Sequence, residues 1–142
     1  MKQRTAPLTK KNRVRLVTED GFLRSVQLPR NVPRDFNAQT LKKIHAEISR
    51  FRISFDHASG FTRRVWQRLM RIPSGEVMTY AEVACEIGSP RAARAVGMAC
   101  AANPLLLAVP CHRVVASRGP GGFRAGLAWK KKILDLERAE LG

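Results

Sequence analysis

Apolar and β-branched residues are interspersed with polar ones from Arg13 to Thr18 (RVRLVT) and again from Phe22 to Leu28 (FLRSVQL), two β-rich runs that read as strands. Glu19-Asp20-Gly21 between them predicts a short hairpin turn, with Gly21 supplying a positive φ. Pro29 and Pro33 break the pattern. Beyond Asn37 the spacing is helical: Leu41, Ile44, Ile48 and Phe51 share one face of a helix predicted over 38–51. The aperiodic stretch from Asp56 to Gly60 marks the expected boundary between two units, 1–58 and 59–142.

In the second unit, Phe61, Val65, Leu69 and Ile72 predict an amphipathic helix over 62–71 with arginines on its wet face, stopped by Pro73-Ser74-Gly75. Thr79 followed by Glu82 is a capping box, so a second helix starts there and ends at Gly88-Ser89-Pro90. A third, alanine-rich helix is predicted over 91–102 (RAARAVGMACAA), ended by Asn103-Pro104. Two short helices about a tight turn, the second opening Arg-Ala-Ala-Arg, have the outline of a helix-turn-helix. Small residues on such a helix suit either close packing or a groove that admits little bulk. Leu105 to Pro110 is a buried apolar run leading to Cys111-His112-Arg113; glycines 119, 121, 122 and 126 make a loop, and a last helix is predicted over 127–139. Lys130 to Lys132 read as its solvated face.

Charge changes the picture. With 142 residues, 26 Lys and Arg against 11 Asp and Glu give +15, so a polyanion, nucleic acid first, is the expected partner. Both units are basic, with 13 basic and 5 acidic residues up to Gly60 and 13 and 6 after it. Lys2, Arg4, Lys10, Lys11, Arg13 and Arg15 read as a mobile basic start. No apolar run is long enough for a membrane span or a signal peptide, so no membrane partner and a cytoplasmic or nucleoid (nuclear, if eukaryotic) location are expected. Cys85, Cys100 and Cys111 are odd in number and form no CxxC pair; His45, His57 and His112 are scattered. Neither a disulfide framework nor a metal site is expected.

Cys111 is the candidate for chemistry. A free thiol with a pKa near 8.5 is only a few per cent thiolate at neutral pH, so a nucleophilic cysteine needs help. His112 is adjacent, Arg113 adds charge, and Glu137 on the last helix is placed to orient an imidazole. Without the family, the residues read first as a buried structural thiol and only second as a nucleophile.

Pro110-Cys111-His112-Arg113-Val114 resembles the PCHRV signature of the O6-alkylguanine-DNA alkyltransferases, or methylated-DNA protein-cysteine methyltransferases. The resemblance runs from Phe61 to Glu137: FTRRVWQRL, Gly75-Glu76 before Thr79-Tyr80, RAARAVG at 91–97, Asn103-Pro104, the cysteine motif, the glycine loop and a terminal helix ending in Glu. Residues 1–60 match in outline only. The resemblance implies an α+β fold: a reduced N-terminal hairpin-plus-helix domain, then a mainly helical, winged-helix-like domain with the helix-turn-helix. It implies a suicidal repair reaction, in which Cys111 takes the alkyl group from guanine O6 and keeps it, without a cofactor.

By the same resemblance, Glu137, His112 and a water relay the Cys111 proton, and Asn103 holds the turn that places the sulfur. Tyr80 donates to guanine N3, main-chain carbonyls of Cys111 and Val114 read the guanine amino group, and Phe123 and Arg124 border the base. Arg94 fills the gap left by the extruded nucleotide, with Thr79, Arg91, Ala92, Ala93 and Arg113 also on the DNA side. The implied partner is duplex DNA carrying O6-alkylguanine, with O4-alkylthymine as a further possible lesion, bound through the minor groove by a monomer. Phe123 stands where the family usually has Tyr and Arg124 where it has a smaller residue, which favours methyl over bulky groups. The alternatives are a non-catalytic, alkyltransferase-like lesion binder and a plain helix-turn-helix regulator.

Overall fold

The computed structural model describes residues 1–7 and 12–141. It opens with a three-stranded antiparallel sheet, β1 (Lys2–Pro7), β2 (Arg13–Glu19) and β3 (Phe22–Gln27), in the order β1-β2-β3. The predicted hairpin is β2–β3, and its turn places both Asp20 (φ 53°) and Gly21 (φ 82°) in the left-handed region, as a twist-compatible two-residue turn requires. The basic start is not a free arm. Lys2, Arg4, Arg13 and Arg15 lie on paired strands, with Thr5 opposite Arg15 and Pro7 opposite Arg13; Lys10 and Lys11 lie outside the described residues.

Helix α1 (Ala38–Ile48) starts at Asn37, whose side chain accepts from the Thr40 amide, and buries Leu41, Ile44 and Ile48. It stops three residues short of the expected end: Phe51 continues the apolar spacing, but Arg52 pairs instead with Gly21 beside β3. Helix α2 (Gly60–Leu69), capped by Ser59, buries Val65, Trp66 and Leu69. Strand β4 (Met78–Thr79) leads into α3 (Tyr80–Glu86), whose Thr79–Glu82 capping box is fully formed.

Helix α4 (Ala93–Ala101) begins two residues later than the sequence pattern predicts. The Ala92 amide bonds the Ser89 carbonyl at 2.9 Å. Pro90 sits at the second position of that turn, where its fixed φ is favoured, so Arg91 and Ala92 belong to the turn and not to the helix. Trp66 Nε1 donates to the Ala99 carbonyl at 2.9 Å and ties α2 to α4. A 3-10 turn, Cys111–Arg113, runs into β5 (Val114–Val115), parallel to β4. Helix α5 (Leu127–Leu141) follows Gly126 (φ 103°).

The two expected units share one continuous apolar core, from Val14, Leu16 and Ile44 to Val96, Val109 and Ile133. Three contacts stitch across the 58/59 line: the Val26 amide bonds the Pro104 carbonyl (2.9 Å), Trp129 Nε1 donates to the Pro29 carbonyl (2.8 Å), and Phe36 packs edge-on against Trp129. Among the described residues no helix is long and apolar enough to cross a membrane, and no three His, Cys, Asp or Glu are grouped as metal ligands.

Candidate active site

The cysteine turn is built by Asn103. Its Oδ1 accepts from the Leu105 amide (2.8 Å), and its Nδ2 donates to the Val109 carbonyl (3.0 Å) and to Cys111 Sγ (3.2 Å). The asparagine is fully buried, so one side chain both closes the loop that carries Leu107 at φ 71° and fixes the sulfur. The Cys111 amide bonds the Val109 carbonyl at 2.7 Å, which tightens the approach to the 3-10 turn.

Behind the sulfur lies a buried pair. His112 Nε2 is 3.1 Å from both oxygens of Glu137. Arg113 clamps the same carboxylate, Nε to Oε1 at 3.0 Å and Nη2 to Oε2 at 2.6 Å, while its Nη1 donates to the Ile72 carbonyl at 2.7 Å. Burial pushes the Glu137 carboxyl up, but the bonds from His112 and Arg113 outweigh it and hold the group at about 2. Burial pushes the His112 imidazole down, against the raising effect of Glu137. A neutral imidazole whose Nε2–H donates to an ionised carboxylate leaves Nδ1 with a lone pair, and Nδ1 has no protein partner.

In front of the sulfur is a cavity of about 550 Å3, bounded by Tyr80, Ala93, Arg94, Gly97, Cys100, Ala101, Cys111, Gly122, Phe123 and Arg124. Tyr80 Oη accepts from the Gly122 amide at 3.2 Å, which leaves its own proton available to another acceptor. Gly121 (φ 73°) is required beside it, because a Cβ there would lie 2.5 Å from the hydroxyl. Phe123 meets the His112 ring edge-on with 6.3 Å between centroids, and Arg124 Nη1 lies 3.5 Å from the Asn103 carbonyl. Burial pushes the Cys111 thiol up, with the Asn103 bond and the Lys130 charge pulling it down. Burial and then Cys111 push the neighbouring Cys100 thiol up to about 12. All three cysteines are free.

Of the residues singled out from sequence, Tyr80, Ala93, Arg94, Cys111, Phe123 and Arg124 converge on this cavity, and His112, Asn103 and Glu137 stand directly behind it. Thr79 is engaged as the α3 cap, and Arg91 and Ala92 sit in the turn before α4. Two readings need correction. Arg113, expected on the DNA side, turns inward because the buried Glu137 carboxylate needs a cation and the Ile72 carbonyl a donor. Lys130, expected on a wet face, is fully buried, with Nζ bonded to the Val114 (2.6 Å) and Gly122 (2.9 Å) carbonyls. The Val114 carbonyl, expected to face guanine, therefore already serves Lys130. Sequence reasoning also missed Cys100, whose only signal is its place three residues before Asn103 on the α4 face that carries Val96.

Residues 60–139 match the family described as 6-O-methylguanine DNA methyltransferase, DNA binding domain. A probable methylated-DNA–protein-cysteine methyltransferase of Acanthamoeba polyphaga mimivirus is 49% identical over 78 residues, covering 55% of this chain and 52% of the relative. The methylated-DNA–protein-cysteine methyltransferase of Mycolicibacterium paratuberculosis is 48% identical over 94 residues, covering 65% and 57%. The matched stretch thus spans little more than half the length of these curated relatives. The crystal structure of Mycobacterium tuberculosis OGT in complex with DNA superposes with a TM-score of 0.75 at 28% identity, covering 96% of this chain and 91% of that one. With its second unit matched almost end to end and its whole fold shared with a solved relative, the chain belongs to the 6-O-methylguanine DNA methyltransferase family.

Proposed function

We propose that this protein repairs alkylated DNA by direct reversal, moving a methyl group from guanine O6 to Cys111, once per molecule and without a cofactor. The observation that carries the reading is the placement of Cys111 Sγ between a cavity roomy enough for an extruded base and a buried His112–Glu137 pair. The neutral imidazole accepts the thiol proton at Nδ1, through a water, and the ionised Glu137 stabilises the resulting imidazolium. The thiolate then attacks the methyl carbon. A sulfur–carbon bond forms, the carbon–O6 bond breaks with its electron pair going to guanine, and the base is protonated at nitrogen. Tyr80 Oη lines the cavity with its own proton left free by the Gly122 bond; it donates to the base, and that hydrogen bond strengthens as the leaving guanine gains charge.

A guanine in duplex reaches that cavity only if it is extruded, at about a few kcal/mol. Helix α4 carries Arg94 at the cavity rim with Ala93, Gly97 and Ala101 beside it, a low surface that lets a minor groove approach while one long cation enters the emptied stack. The net charge of +15 supplies the phosphate attraction. Thr79, Arg91 and Ala92 belong to the same DNA side, whereas Arg113 acts from behind as the support of Glu137. Phe123 and Arg124 line the same cavity, and the long Arg124 side chain there favours small alkyl groups. Division of labour follows the sequence boundary, with 59–142 holding the chemistry and 1–58 bracing it.

The deciding experiment is the intact mass of the protein after incubation with duplex containing O6-methylguanine. A gain of about 14 Da, one methyl for one hydrogen, that is absent in Cys111→Ala establishes acceptance at that thiol. Lesion-dependent binding without a mass gain refutes it in favour of a non-catalytic lesion binder.

A further inference from the structure

Lys130 is the one fully buried cation among the described residues, and the alkyl-transfer steps above make no use of it. Its ammonium ties β5 to the cavity wall, bonding the Val114 carbonyl on β5 and the Gly122 carbonyl on the glycine loop, and lies 5.9 Å from the centroid of the Tyr80 ring. Neutral carbonyls satisfy its protons but not its charge. Among the described residues no carboxylate forms an ion pair with it; the nearby Glu137 on the same helix is taken by His112 and Arg113. A buried charge kept without a permanent counter-ion is costly, unless an anion arises beside it during function.

We propose that Lys130 is the counter-charge of the acceptor pocket, a positioning residue whose ammonium, held by the Val114 and Gly122 carbonyls, stabilises the anion formed when Cys111 loses its proton. The inference deepens the alkyl-transfer reading and rests on it. Its electrostatics agree: burial lowers the Lys130 ammonium while Cys111 and Cys100 raise it, and Lys130 in turn lowers the Cys111 thiol. The other titratable or charged groups around the sulfur are Arg94 and Cys100 on α4, Tyr80 on α3, His112 on the cysteine turn and Arg124 on the loop; Arg94 and Arg124 keep their charge throughout pH 6 to 10. Cys100, pushed up to about 12, stays protonated across the working range and cannot substitute as the anion.

The test needs no DNA. Full-length protein is treated with methyl methanethiosulfonate at pH 6 to 10, and modification of the Cys111 peptide is followed by mass. The thiolate forms a mixed disulfide with the methylthio group, and methanesulfinate departs with the electron pair of the broken sulfur–sulfur bond. Lys130→Gln keeps hydrogen-bond donors without charge, Lys130→Met removes both, and Lys130→Arg keeps the charge. The inflection of the pH–rate curve moves to higher pH in the Gln and Met variants, and modification at pH 7 slows about tenfold for every whole pH step by which the inflection rises. The gap closes at high pH, and the Arg variant recovers most of the rate.

A uniform change at every pH, with the inflection unmoved, means that Lys130 only ties the loop, and overturns the proposal. If the variants do not fold, the reciprocal measurement is made by NMR of 13C-labelled lysine. Lys130 titrates at lower pH in Cys111→Ser than in the unaltered chain, and an unchanged titration overturns the proposal equally. Failure of the unaltered chain to gain mass from lesion DNA, with the thiosulfonate profile still dependent on Lys130, sinks the alkyl-transfer reading alone.

Discussion

Glu137 couples the stability of this protein to acid in a way that one substitution isolates. The carboxylate is buried, accepts from His112 and both faces of the Arg113 fork, and is held at about 2, against about 4.3 in an unfolded chain. A carboxyl whose folded pKa is depressed contributes stability that is complete above the unfolded value and is lost as pH falls toward the folded one. The difference between those two values corresponds to about 3 kcal/mol in full, of which about 2 kcal/mol has gone by pH 3. Glu137→Gln cannot titrate, so urea unfolding of both proteins at intervals from pH 7 to pH 3 reads that contribution directly. At pH 7 the variant is less stable by about 3–5 kcal/mol, because the Arg113 charge loses its partner. Below pH 5 the unaltered protein loses stability faster, and the two curves converge by about 2 kcal/mol at pH 3. His112, held neutral in the fold, adds an acid-side loss beginning below pH 6.5, with the same sign. Parallel curves between pH 5 and pH 3 would refute the assignment of an ionised Glu137 at the centre of the site.

Asn103→Ala strands the Leu105 amide and removes the donors to Val109 and Cys111; urea unfolding should show a loss of about 1–3 kcal/mol, and thiosulfonate titration a higher Cys111 inflection. Arg94→Ala slows repair of O6-methylguanine in duplex far more than reaction with a free alkylguanine base; equal losses in a single-turnover assay would place Arg94 in the fold and not in extrusion. Gly121→Ala forces a side chain into a left-handed φ and against Tyr80 Oη, so single-turnover repair falls at least about tenfold while the melting temperature moves by only a few degrees. A larger drop in melting than in rate would show that the glycine matters to the loop more than to the tyrosine.

Local rules were the most legible part of the sequence. The Thr79–Glu82 capping box, the Asp20-Gly21 turn and the apolar faces of α1 and α2 each depend on residues a few positions apart, and each forms as the pattern predicts. Strand β1 was not legible: of Lys2, Gln3, Arg4, Thr5 and Ala6 only Ala6 meets the core, and a strand held by pairing with β2 carries no alternation of its own. Arg113 and Lys130 were misread for one reason. A basic side chain looks solvated until the fold brings carbonyls or a carboxylate to it, and their partners Glu137, Ile72 and Gly122 are 24, 41 and 8 residues away. The Cys111 motif gave the chemistry through resemblance, whereas the orientation of His112 toward Glu137, and its free Nδ1, exist only in three dimensions.

The bond from the Trp129 indole to the Pro29 carbonyl has a bearing on how the molecule is used and engineered. Trp129 is the neighbour in sequence of Lys130 and lies two helical turns before Glu137, so the first sixty residues hold the helix that bears both charges of the site. Severing the chain at residue 58 would uncover an indole and the edge of β3 at once, and would loosen the acceptor pocket from its rear. The indole also makes this junction visible: the chain has only two tryptophans, so in a Trp66→Phe background Trp129 emission is a built-in gauge of whether brace and pocket remain joined.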